Sequence, residues 1–121
     1  MPEIAEEPLA SLVRRYASAA PAHGRATEAG DSERANGAAR SIAAIYSELR
    51  RRGIAAQREL LPLLHDLSPG VRAWAGAHAL EFAPDVGEQA LTVLSQMPGS
   101  LVGFSANITL LEWRAGRLRF S

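Results

Sequence analysis

Apolar residues recur along this chain with helical spacing, and the densest run, Leu60 to Phe82, organises the rest. It reads LLPLLHDLSPGVRAWAGAHALEF, two short helices hinged at Leu67-Ser68-Pro69-Gly70, the second apolar nearly all round. Such a helix belongs in the middle of a fold, with other helices packed over it. Before it, Leu9, Leu12, Val13, Tyr16, Ala17 and Ala20 make one stripe of a helix expected over residues 8–20. Pro21 to Gly30 holds Pro, two Gly and no large apolar residue, and is expected to be a loop. Asp31 is a good N-cap for a second helix running to Arg52, with Ala35, Ala38, Ala39, Ile42, Ile45, Tyr46 and Leu49 inward. Arg50, Arg51 and Arg52 fall in its last turn, where cations are favoured, and Gly53 follows as its stop. Gly37 inside it costs roughly 1 kcal/mol relative to Ala and is expected to admit a close neighbour.

A third helix, about residues 55–67, presents five leucines, with Pro62 bending or delaying it. The fourth starts at Pro69 and carries Val71, Trp74, Ala75, His78, Ala79 and Phe82 on its stripe. Pro84 opens a fifth, whose Val86, Ala90, Val93, Leu94 and Met97 keep helical spacing to Pro98-Gly99. Ser100 caps a sixth, with Leu101, Phe104, Ile108, Leu111 and Ala115 on its expected inner side, widened by Leu110 and Trp113. The tail RLRFS either packs back through Leu118 and Phe120 or frays. No segment alternates with period two between hairpin turns. The fold class is all-α, five to six helices in one domain of 121 residues.

Composition narrows the function classes. Thirteen basic residues, every one arginine, balance thirteen acidic ones, which gives no global signal for nucleic acid or an anionic membrane. With no cysteine, disulfides, thiolate metal sites and cysteine nucleophiles are excluded. The first residues are acidic where a signal peptide is basic, and no apolar run reaches membrane-spanning length, so a cytoplasmic protein with no membrane partner is expected.

The third and fourth helices pair with the fifth and sixth at a spacing of about thirty residues. Both pairs carry apolar runs, a Pro-Gly hinge and a following valine, as stacked helix pairs require. An N-terminal helical pair is thus expected over 8–53 and HEAT-like antiparallel pairs over 55–83 and 84–116. The first resembles a HEAT repeat in Leu60, Leu61 and Leu64, Asp66 at the turn, Pro69, Val71-Arg72 and the small-then-large face Ala75, Ala79, Leu80. In such repeats the turn Asp and the following Arg serve packing, the expectation here for Asp66 and Arg72.

From about Leu9 to Leu118 the chain also resembles a small bacterial HEAT-like family catalogued as domain of unknown function two thousand and nineteen. The resemblance rests on Gly30-Asp31, Ala35-Asn36, Leu60 to Leu64 and Pro69-x-Val71-Arg72-x-Trp74-Ala75-x-Ala77-His78. It continues through Phe82-Ala83-Pro84, Gly103-Phe104-x-Ala106 and Thr109-Leu110-x-Glu112-Trp113-Arg114-Ala115-Gly116. Gly76 stands where the pattern expects Ala. The family supplies no catalytic residue to carry over. By analogy, some small helical proteins of this type look like immunity partners of bacterial toxins.

Chemical motifs are sparse. His65 and His78 sit on consecutive helices, but HExxH spacing is absent and His78 with Glu81 is half a metal site at most. No G-x-S-x-G or phosphate-loop pattern occurs. A basic face from Arg40, Arg50, Arg51, Arg52, Arg114, Arg117 and Arg119 would suit nucleic acid, but the neutral net charge weighs against it. Stacked helix pairs bind partners without any special residue. The expectation is therefore a non-enzymatic protein-interaction domain with no cofactor or metal, whose most specific form is an immunity protein covering a cognate bacterial toxin. The candidate contact residues are Asp31, Asn36, Arg40, Arg72, His78, Trp113 and Arg114. A side-chain hydrogen bond is the plainer account of Asn36, and core burial that of Trp113. The alternatives are a nucleic-acid-binding repeat and a small enzyme centred on His78.

Overall fold

A computed structural model describes residues 4–120 and is helical throughout. Its α-helices are α1 (Leu9–Glu28), α2 (Ser32–Arg52), α3 (Ile54–Gln57), α4 (Pro69–Phe82), α5 (Pro84–Ser95) and α6 (Leu101–Arg114). Two 3-10 segments, Ile4–Glu6 and Arg58–His65, complete the order, and no described residue lies in a strand. The all-α class holds. The chain forms two compact units, one up to Glu59 and one from Leu60 onward.

In the first unit α1 and α2 pack along each other, burying Leu12, Tyr16 and Ala20 from α1 and Ile42, Ile45, Tyr46 and Leu49 from α2. The loop expected over residues 21–30 is instead the last two turns of α1. Pro21 withholds one backbone donor, but alanines flank it on both sides and Ala26 buries against the unit. The helix closes where Gly30 turns left-handed (φ 72°) and Asp31 N–H bonds back to Ala26 O at 2.8 Å. Asp31 caps α2 as expected, its Oδ1 accepting from Arg34 N at 3.1 Å. Gly53, with φ 111°, ends α2 in a conformation other residues rarely adopt.

The expected third helix forms as the short α3 continued directly by the 3-10 segment Arg58–His65. Pro62 has no N–H, and its ring disfavours the carbonyl four residues back, so the α ladder stops at Gln57 and gives way to the 3-10 segment. In the second unit α4, α5 and α6 pack mutually. Their starts follow the sequence: Ser68 Oγ accepts from Val71 N at 3.4 Å, and Ser100 Oγ from Gly103 N at 3.2 Å. Asp66 Oδ2 accepts from Ser68 N at 2.9 Å, the hinge role expected of it.

The core of this unit is Leu80, Leu91, Leu94, Ala106 and Leu110, with Trp113, Leu118 and Phe120 packed against it. The tail therefore packs back. Two glycines set how closely the helices meet. A Cβ on Gly87 would stand 2.8 Å from Gly76 O and Leu80 N of α4, and one on Gly103 would stand 2.8 Å from Leu94 O. These close approaches decide which faces turn inward, and here the structure corrects the sequence. On α6 the inner face is Gly103, Ala106 and Leu110, whereas Leu101, Phe104, Ile108 and Leu111 are exposed. On α5 the inner residues are Gly87, Leu91 and Leu94, whereas Val86 and Val93 face solvent. Among the described residues no helix is long and apolar enough to cross a membrane.

Candidate interaction faces

Of the seven sequence-derived contact residues, Asp31, Asn36 and Arg40 belong to the first unit and Arg72, His78, Trp113 and Arg114 to the second. Asp31 is used in capping, with Arg34 Nε also 3.4 Å from its Oδ2. Asn36 is exposed on α2, and its side chain makes no hydrogen bond among the described residues. Arg40 is exposed nearby, with no carboxylate partner among the described residues. In the second unit Arg72 keeps its Nε shielded from solvent without a hydrogen-bond partner. His78 stacks obliquely on Trp74, ring centroids 6.2 Å apart. Burial pushes its pKa down to about 4, against a smaller opposing pull from Glu81, so the imidazole is neutral at pH 7. Trp113 packs on the core, and Arg114 Nη2 lies 3.0 Å from Glu88 Oε2, tying α6 to α5.

Sequence reasoning missed a charged cluster. Glu48 is 6% exposed, and its carboxylate receives Arg51 Nε at 2.9 Å, Arg51 Nη2 at 2.6 Å and Arg52 Nε at 2.7 Å. Arg52 Nη2 also donates to Ile4 O at 3.2 Å, Ala5 O at 3.3 Å and Glu7 O at 2.6 Å, fastening the N-terminal segment to the end of α2. Hydrogen bonds from Arg51 and then Arg52 hold the Glu48 carboxyl down to about 2. The signal was present: Glu48 lies between Ile45 and Leu49 on the inner face, with arginines three and four residues on.

An open groove of about 480 Å³ runs along α1 and α2, lined by Ser11, Arg14, Arg15, Ser18, Ser41 and Ile45. Arg15 and Ser11 both donate to Glu7. The Ser11 hydroxyl, with Arg15 behind it, holds the Glu7 carboxyl below the usual carboxylate range. Arg14 has no acidic partner among the described residues.

Four of the exposed large apolar side chains lie on α6. Leu101, Phe104, Ile108 and Leu111 are 57%, 65%, 44% and 53% exposed and follow one another at intervals of three, four and three residues. That spacing keeps them on one stripe, about 15 Å long at 1.5 Å per residue. The periodicity was legible in the sequence; its outward direction was set by Gly103. No set of three or more metal-ligating side chains gathers among the described residues.

Searches of family models, curated proteins and solved structures find no match for this chain.

Proposed function

We propose that this protein acts by binding other proteins, and that α6 is its contact face. The supporting observation is the exposed stripe Leu101, Phe104, Ile108 and Leu111. An apolar stripe of that kind falls in the size range of surface patches that are often functional, and its cost in water is offset when a partner covers it. Within this proposal the finer reading is an immunity protein of a HEAT-like helical family that covers a cognate bacterial toxin in the cytoplasm. That reading draws on the Val71-Arg72-x-Trp74-Ala75 and Glu112-Trp113-Arg114-Ala115-Gly116 blocks and on analogy.

Two other readings gain less. Of the seven arginines that would grip nucleic acid, Arg51, Arg52, Arg114 and Arg117 are engaged with Glu48, Glu88 or Glu112. A His78-centred enzyme would start from a neutral imidazole packed on Trp74, with no metal-ligating trio among the described residues.

The test is affinity capture from native lysate with wild-type bait and Phe104→Glu bait in parallel. One stoichiometric protein held by the first and lost by the second supports the interface. If that protein also stops growth when expressed alone, and co-expression of this chain restores it, the immunity role follows. Equal retention by both baits would remove α6 from the account.

A further inference from the structure

The α6 stripe has an internal symmetry that points to its occupant. Leu101 and Leu111 lie five residues either side of Ala106, and Phe104 and Ile108 lie two either side. An antiparallel copy of α6, centred at the height of Ala106, therefore sets Leu101 against Leu111 of the second copy. It sets Phe104 against Ile108 of the second copy. Every apolar side chain meets another, as a two-fold interface requires of one patch that must match itself. Intervals of three, four and three are also the seam spacing of paired helices.

The flanks agree. Beside the seam lie Ser105, Asn107, Glu112 and Arg114. In the antiparallel arrangement Asn107 comes beside Asn107 of the second copy, Arg114 beside Ser100 of the second copy and Glu112 beside Pro98 of the second copy. No like charges oppose each other. Both flanking charges are already satisfied within the chain, Arg114 by Glu88 and Glu112 by Arg117 at 2.9 Å. Antiparallel helices also oppose their dipoles favourably. The chain as a whole has no net charge to drive two copies apart.

We infer that the α6 stripe is a homodimerisation face, occupied by the same stripe of a second copy in antiparallel two-fold pairing. The inference rests on the reading of α6 as a protein interface and names a second copy as the occupant that a foreign partner would have to displace. The four side chains leave on the order of 400 Å² of apolar surface in water, about half of what each side of a standard stable interface buries. An interface this small falls at the weak, reversible end of association.

Sedimentation equilibrium of the full chain, from low micromolar to millimolar concentration, reads this directly. The average mass should climb from one chain toward two, while Phe104→Glu and Ile108→Glu stay at one chain with unchanged helical circular dichroism. Because the protein has no cysteine, Asn107→Cys gives a second and independent readout. Mild oxidation should yield a covalent dimer of Asn107→Cys but not of Ser47→Cys, placed on exposed α2. A single chain at every concentration overturns the inference, as does a dimer indifferent to both glutamate variants. If wild type stays monomeric yet captures a foreign protein that Phe104→Glu loses, self-pairing fails while the interface reading stands. If both the dimer and the capture are absent, both fail.

Discussion

His78 and Glu48 are ionisable groups whose environments divide the acid limb of stability into two windows. Folding lowers the His78 pKa from 6.5 to about 4, so as pH falls the unfolded chain takes up that proton first. Its contribution is whole above about pH 6.5 and is lost as pH falls from there toward 4. Glu48 is held down from 4.5 to about 2 by Arg51 and Arg52, so its contribution is whole above about pH 4.5 and is lost toward pH 2. Melting temperature followed against pH should therefore flatten between 6.5 and 4 in His78→Gln and, separately, between 4.5 and 2 in Glu48→Gln. A His78→Gln profile parallel to wild type would show that this imidazole titrates normally. Two glycines make an opposed pair at the same scale. A methyl on Gly87 would press on backbone atoms of Gly76 and Leu80, which cannot swing aside, so Gly87→Ala should cost about 1–3 kcal/mol in denaturant unfolding. On Gly37 a methyl meets only the flexible Arg40 guanidinium at 3.9 Å, so Gly37→Ala should gain about 0.5–1 kcal/mol. Gly37 therefore admits no close neighbour, whereas Gly87 and Gly103 do at the helix crossings, as does Gly76, where a Cβ would stand 3.3 Å from Leu91.

At the level of elements, helix starts were the most legible part of the sequence, because they depend on side chains bonding within three or four residues. Asp31, Ser68-Pro69 and Ser100 all begin helices where their chemistry says they should. Replacing Ser100 by Ala should remove the bond to Gly103 N and cost about 1 kcal/mol, read as a lower urea midpoint with the slope unchanged. An unaltered midpoint would mean that Pro98-Gly99 alone fixes the start of α6. The continuation of α1 through Pro21 was not legible, because one lost hydrogen bond is outweighed by packing that a local pattern does not contain. The same holds for which side of α6 turns inward. Its outer stripe is the more apolar by residue type, yet Gly103 permits backbone contact with α5, and close approach over Ala106 and Leu110 wins. The candidate face was thus visible as a pattern and hidden as an orientation. Asn36 and Arg40 stay exposed as contact residues would, whereas Trp113 and Arg114 are committed to internal packing and an ion pair.

Across the whole molecule, equal numbers of acidic and basic residues set how association should answer to salt. Near its isoelectric point of about 6.8 the chain carries little net charge, so two copies approach without general repulsion. The glutamates Glu48, Glu88 and Glu112 are paired with arginines of the same chain, which leaves the α6 contact to apolar side chains. A contact of that kind neither gains from nor depends on long-range attraction, whereas one built on exposed ion pairs weakens as salt screens it. Raising salt at neutral pH should leave the dimer constant within about twofold of its low-salt value or tighten it slightly. The measurement is the same sedimentation series in low and high sodium chloride. A weakening of about tenfold or more would assign the association to the exposed arginines, Arg14 and Arg40 first among them, and away from Phe104. Lowering the pH well below the isoelectric point adds the complementary check. The chains then share a positive charge, and the dimer should dissociate before the helical signal is lost if its only bond is the apolar stripe.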